Sequence, residues 1–165
     1  MLLSDFDGTL MDLAVDWRAL REELGVSDIG ELWKRNDPAP FERVTAVETQ
    51  GARLGRDNSV AIEFVRRAGR FALISGNSEA AIQTFLARHA DLRDRCAVVV
   101  GRESLAGPKL DREIFKRGVG MCLAALQLAD AGRVTYLGDS HDELELARSL
   151  GFDAIDVATL ARETV

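Results

Sequence analysis

Short, continuously apolar runs punctuate the chain at Met1 to Ser4, Phe71 to Ile74, Ala97 to Val100, Val134 to Leu137 and Ala154 to Val157. Each is too short and too uniformly apolar to be one face of a surface helix, so each predicts a strand. Between them lie segments with helical periodicity. Val60 to Arg67 follows an Asn58-Ser59 cap signal and ends at Gly69, while Glu79 to His89 follows Asn77-Ser78 and puts Ala81, Ile82, Phe85 and Leu86 on one face. Ile114, Phe115, Val119, Cys122, Leu123 and Leu126 predict a further helix with Asp111 as its N-cap. Gly118 and Gly120 would weaken it by roughly 1 kcal/mol each if exposed. A last helix is predicted from Glu143 to Leu150, closing at Gly151. Strands alternating with helices predict a parallel sheet covered on both faces.

Residues 11–57 stand outside that alternation. They hold helical patterns at Asp16 to Leu24, Asp28 to Arg35 and Phe41 to Leu54, broken by Pro38 and Pro40, and no convincing strand. The expected division is a core made of 1–10 and 58–165 and a small helical insert at 11–57. Trp17 and Trp33 are read as packing for the insert's own small core. A length of 165 residues suits one domain with such an insert, and there is no internal repeat.

Charge narrows the partners. Lys and Arg number 21 against 27 Asp and Glu, a net charge of −6, which argues against nucleic acid or an anionic membrane as the natural surface. A small anionic substrate would then need a local cation. Cys96 and Cys122 lie in apolar surroundings without CxxC spacing and are read as buried free thiols. No apolar run approaches the ~20 residues of a membrane span and no basic segment precedes an apolar one, so the expectation is a soluble, cytoplasmic protein.

In open parallel sheets ligands bind beyond the carboxyl ends of the strands, which directs attention to the residues after each apolar run. The first strand delivers Asp5 and Asp7, the second Ser75-Gly76-Asn77, the loop after the third Lys109, and the fourth Asp139 with Asp142 and Glu143. Two carboxylates one residue apart crowd negative charge and call for a cation nearby.

In order and spacing, SDFDGTL, LISGNS, GPKLDREIF and YLGDSHDELELA resemble the four motifs of the haloacid dehalogenase-like (HAD) superfamily of phosphohydrolases. The insert occupies the place of that family's type-1 cap, as in its phosphoglycolate phosphatase-like members. The resemblance implies an α/β fold: a Rossmann-like three-layer core with a parallel β-sheet, plus a small α-helical cap inserted after the first strand.

It also implies roles. Asp5 would be the nucleophile that forms an aspartyl-phosphate, and Asp7 the acid that protonates the leaving alcohol and then the base that activates water. Mg²⁺ would be held by Asp5, the backbone carbonyl of Asp7 and Asp139, with Asp142 or Glu143 as the second acid of the fourth motif. Ser75 and the amides of Gly76 and Asn77 would hold phosphoryl oxygens, and Lys109 would neutralise charge on phosphate and on Asp5.

The third motif lacks both of the family's prolines, which leaves Lys116 as a rival to Lys109. Lys109 is favoured because it precedes the helix in a Gly-Pro loop. His141 is read as a partly exposed loop residue and His89 as serving a helix end. Arg18, Arg21, Lys34, Arg35 and Arg43 are read mostly as solvated charges.

The expected function is a Mg²⁺-dependent phosphatase acting on a small phosphorylated metabolite. A phosphosugar mutase of the same superfamily and a non-catalytic module keeping the fold are the alternatives. The acid at Asp7 disfavours dehalogenases and phosphonatases. A phospho-receiver domain is disfavoured because its phosphorylated Asp would follow the third strand, where Val100-Gly101-Arg102 stands. A short cap predicts either promiscuity or a pocket completed by self-association.

Overall fold

The structure, a computed structural model, describes residues 1–35, 37–127 and 134–160. The strands are β1 (Leu2–Ser4), β2 (Met11–Asp12), β3 (Arg56–Asp57), β4 (Phe71–Ile74), β5 (Cys96–Val100), β6 (Thr135–Gly138) and β7 (Asp153–Asp156). The helices are α1 (Trp17–Leu24), α2 (Ala39–Leu54), α3 (Ser59–Ala68), α4 (Glu79–Arg88), α5 (Ala90–Arg93), α6 (Arg102–Leu105), α7 (Arg112–Leu126), α8 (His141–Ser149) and α9 (Val157–Leu160), with a 3-10 helix at Ile29–Lys34.

Successive side chains of β1 face opposite sides, and both sides are buried. Leu2, Phe71, Leu73 and Leu137 join one apolar cluster with α3 and α4, while Leu3, Ala72, Ile74 and Tyr136 join another with α7 and α8. A strand buried on both faces has no reason to alternate polar and apolar residues, which is why these runs read as continuous. The sheet is five-stranded with order β5-β4-β1-β6-β7, and every pairing is parallel. The protein is thus an α/β, Rossmann-like three-layer structure. From β1 the chain steps outward through β4 to β5, then returns to β6 on the other side. That reversal opens a crevice at the carboxyl end of the central strand.

Helix capping follows the sequence signals. Asn58 accepts from Ala61 N, Ser78 from Ala81 N, and Asp111 from Glu113 N and Ile114 N. Gly118 has a packing reason to be glycine: a Cβ there would press on Leu105 and Ile74, where α7 crosses close to the sheet. Cys96 and Cys122 are free thiols, and burial pushes them up to about 11 and about 12.

Two expectations are corrected and one is made more specific. Residues 11–57 are not free of strand, because β2 and β3 pair antiparallel at the base of the insert, with Arg56 Nη2 2.7 Å from Asp12 Oδ2. A ladder of two residues leaves no readable alternation. The helical pattern at Asp28 to Arg35 forms the 3-10 helix Ile29–Lys34, its first turn fixed by the Asp28 carboxylate accepting from Gly30 N. The last predicted helix starts earlier than Glu143, so His141 is not a loop residue but the first residue of α8.

The insert has a small cluster of its own, built on Leu20, Leu32 and Val44, with Trp17 and Phe41 packed against it. Its helix α2 lies along α4 of the sheet's layer. Among the described residues no helix is long and apolar enough to cross a membrane.

Candidate active site

Past Ser4 the chain leaves the sheet. Asp5 N still donates to Leu137 O at 2.9 Å, and then Thr9 N and Leu10 N both turn back to Phe6 O. Gly8 takes a φ of +77°, a region costly for residues with a Cβ, and a Cβ there would collide with the Asp139 carboxylate. The turn therefore brings the end of β1 against the end of β6. It also gives Asp5 and Asp7 different surroundings. Asp5 is 5% exposed. Asp7 is only half-buried, and its Oδ1 accepts from Leu13 N at 2.9 Å.

Lys109 reaches Asp5 from the turn that precedes α7. Its ammonium donates to Asp5 Oδ1 at 2.5 Å and to Glu143 Oε2 at 2.7 Å. The buried Tyr136 hydroxyl donates to the same Glu143 oxygen at 2.7 Å. Thr9 Oγ1 lies 3.4 Å from both Asp5 Oδ2 and Asp139 Oδ1, placing one hydroxyl between the two carboxylates.

The electrostatics follow from burial and crowding. Burial and then the charge of Glu143 push the Asp5 carboxyl up to about 7, partly offset by Lys109. Burial also raises Asp7, and burial with Glu143 raises Asp139. Burial alone would lower the Lys109 ammonium. The Asp5 and Glu143 carboxylates reverse that and hold it above the usual lysine range.

The end of β4 supplies a polar turn. Ser75 Oγ donates to Asn77 Oδ1 at 2.8 Å and accepts from Asn77 N at 3.3 Å. Below it lies a buried ion pair between Glu48 of α2 and Arg102 of α6, with Arg102 Nη1 3.0 Å from Glu48 Oε1.

Asp5, Asp7, Ser75, Gly76, Asn77, Lys109, Asp139 and Glu143 all line one cavity of about 410 Å³. Trp17, Arg21, Trp33 and Phe41 of the insert line it from above, so the two tryptophans serve the cavity wall as well as packing. Asp142 is not brought to it: one residue before Glu143 in α8, it is exposed and lines a separate groove with Leu110 and Arg112. Lys116 is exposed on α7 and His141 on α8. Glu48, Arg102 and Tyr136 were not among the candidate residues. Glu48 had a readable signal, since it shares the buried face of α2 with Val44 and Ala52, where a charge is unusual. Tyr136 inside an apolar run and Arg102 after Gly101 gave none.

Among the described residues no group of three His, Cys, Asp or Glu side chains converges closely enough to hold a metal alone. Mg²⁺ does not require one, because it takes one or two carboxylates and keeps several waters. Asp5 and Asp139, joined through one hydroxyl beside an open cavity, are an all-oxygen donor set that fits it.

No protein-family model and no curated protein matches the chain. Solved structures do. CbbY from Rhodobacter sphaeroides, in complex with phosphate, aligns over 94% of this chain and 84% of its own with a TM-score of 0.65 and 20% identity. The HAD family enzyme bt-2542 from Bacteroides thetaiotaomicron, as a magnesium complex, aligns over 94% and 91% with a TM-score of 0.62 and 15% identity. A HAD-superfamily hydrolase from Ehrlichia chaffeensis aligns over 99% and 97% with a TM-score of 0.58 and 14% identity. Across almost its whole length, this chain has the fold of the HAD-superfamily hydrolases.

Proposed function

We propose that the protein is a Mg²⁺-dependent phosphatase that hydrolyses a small phosphate monoester through a phosphoryl group carried on Asp5. The observation that supports this most strongly is the meeting of Asp5, Lys109 and Asp139 at the carboxyl ends of the central strands, inside a cavity that Ser75 and Asp7 also line. The likeness to structures solved with phosphate and with magnesium and inorganic phosphate supports the same chemistry.

An Asp5 oxygen forms a bond to phosphorus while the bond to the leaving alcohol breaks, and the Asp7 carboxyl, raised by burial, gives its proton to the departing oxygen. Water then attacks the aspartyl-phosphate and passes a proton to Asp7, releasing phosphate and restoring Asp5. Lys109 offsets charge on Asp5 and on the phosphoryl group, while Ser75 and the amides of Gly76 and Asn77 hold phosphoryl oxygens. Asp5, Asp139 and the Asp7 carbonyl would hold Mg²⁺, which supplies positive charge against the repulsion between a carboxylate and a phosphate dianion. Glu143 orients Lys109. Residues 11–57 act as a cap, and their aromatic side chains limit the substrate to a small one.

Hydrolysis of para-nitrophenyl phosphate with Mg²⁺, its loss on adding EDTA, and its loss in Asp5→Asn are the expected results. Turnover that is unaffected by EDTA and by Asp5→Asn would overturn the proposal.

A further inference from the structure

Glu48 occupies a position on the buried face of α2 that would ordinarily be apolar, and it is 1% exposed. A carboxylate so placed must be paired and fully hydrogen-bonded. Its oxygens accept from Arg102 Nη1 and Nη2, each at 3.0 Å, from Asn77 Nδ2 at 3.1 Å and from Ser78 N at 2.9 Å. Arg102 is 3% exposed. It also donates to Thr45 Oγ1 at 2.7 Å, and its backbone N–H donates to Asn77 O at 2.8 Å.

Chemistry fixes the sense of the Asn77 amide. An ionised carboxylate only accepts, so the NH₂ group must face Glu48 and Oδ1 must face Ser75, whose hydroxyl donates to it. One polar chain therefore runs from the Arg102 cation through Glu48 and Asn77 to the Ser75 hydroxyl. Each link is buried, where such networks are stiff and their partial loss is costly.

We infer that Glu48 is a positioning residue for the Ser75–Asn77 turn, and that Arg102 both fixes it and cancels its charge beside an anion site. The insert helix α2 is then part of the phosphoryl-holding structure and not only a roof over it. This rests on the reading of that turn as a phosphoryl site. Loss of the pair frees the Asn77 amide and leaves Ser78 N without its acceptor, which loosens the turn without breaking the hydrogen bonds that hold Asp5, Asp7 and Lys109.

The test is the double variant Glu48→Met/Arg102→Met, which leaves net charge unchanged and replaces a buried ion pair with apolar groups, an exchange often tolerated in folding. Binding of inorganic phosphate in the presence of Mg²⁺ is followed by titration calorimetry, alongside para-nitrophenyl phosphate kinetics. The expected result is a rise in phosphate Kd and in KM of about tenfold, equivalent to about 1.4 kcal/mol, with kcat changed much less. Arg102→Lys, which keeps a cation beside Glu48, should retain most of the affinity. A folded double variant that binds phosphate as tightly as the wild type would overturn the inference.

Should the double variant not fold, Glu48→Gln reads the same quantity, because it keeps the size of the side chain and one acceptor oxygen but cannot serve Arg102, Asn77 and Ser78 N together. Weakened phosphate binding in a folded Glu48→Gln supports the inference, and affinity at or above that of the wild type overturns it. Absence of phosphate binding by the wild-type protein would instead overturn the proposed function, and this inference with it.

Discussion

Lys109 Nζ lies 2.7 Å from Glu143 Oε2, so the lysine of the turn before α7 is held by a carboxylate from the first turn of α8 while it pairs with Asp5. Without that second contact the side chain would have a single anchor. Lys109→Met should lower para-nitrophenyl phosphate turnover by about 10²-fold to 10³-fold, the usual cost of removing one charge-stabilising donor. Lys116→Met, on the exposed side of α7, should leave turnover unchanged. Equal losses in the two variants would contradict the assignment of Lys109.

Asp5 gives the site a pH signature. Its carboxyl is raised to about 7, so its contribution to stability is full below the ordinary carboxylate value and is lost as pH rises through about 7. Mg²⁺ must compete with that proton. The rise in melting temperature produced by saturating Mg²⁺ should be small near about pH 5.5 and grow toward about pH 8. Thermal melts with and without Mg²⁺ across that range measure it, and an equal rise at both ends would argue against Asp5 as a ligand.

Gly8 tests the turn that joins Asp5 to Asp139. Its φ of +77° and the collision a Cβ would make with the Asp139 carboxylate predict that Gly8→Ala destabilises the protein by about 1–2 kcal/mol or more. The same variant should lose most of the Mg²⁺-induced rise in melting temperature. Retention of both properties would show that the approach of Gly8 to Asp139 is not needed.

Asp111 connects helix capping to the site. Its carboxylate caps α7 and its backbone N–H donates to Pro108 O at 3.0 Å, which closes the turn that contains Lys109. Asp111→Ala should cost about 1 kcal/mol in chemical denaturation. Arg112→Ala, one residue further on and exposed, should cost little.

The centre of the sheet was legible because β1 and β4 are buried on both faces, so Phe71–Ile74 carries no polar residue to confuse the pattern. Helices were legible through caps such as Asn58 and Asp111. The β2–β3 pair was not, since a ladder of two residues has no period to detect. At the site, the strand-end residues could be placed by fold logic alone, but Asp142 and Glu143 could not be separated. Adjacent residues on a helix point about 100° apart, and only the three-dimensional start of α8 decides which one faces the cavity. Glu48 and Arg102 come together from elements 54 positions apart in sequence, and their pairing exists only once α2 has folded over the turn.

Everything proposed for the site turns on Asp5 carrying the phosphoryl group. Acid-quenching the protein during turnover of a phosphate monoester in Mg²⁺, and locating the phosphorylated peptide by mass spectrometry, reads this at the residue itself. The expected product is a phosphoryl group on Asp5 that is absent in Asp5→Asn. Wild-type turnover with the phosphoryl group on another residue, or undiminished turnover in Asp5→Asn, would rule Asp5 out.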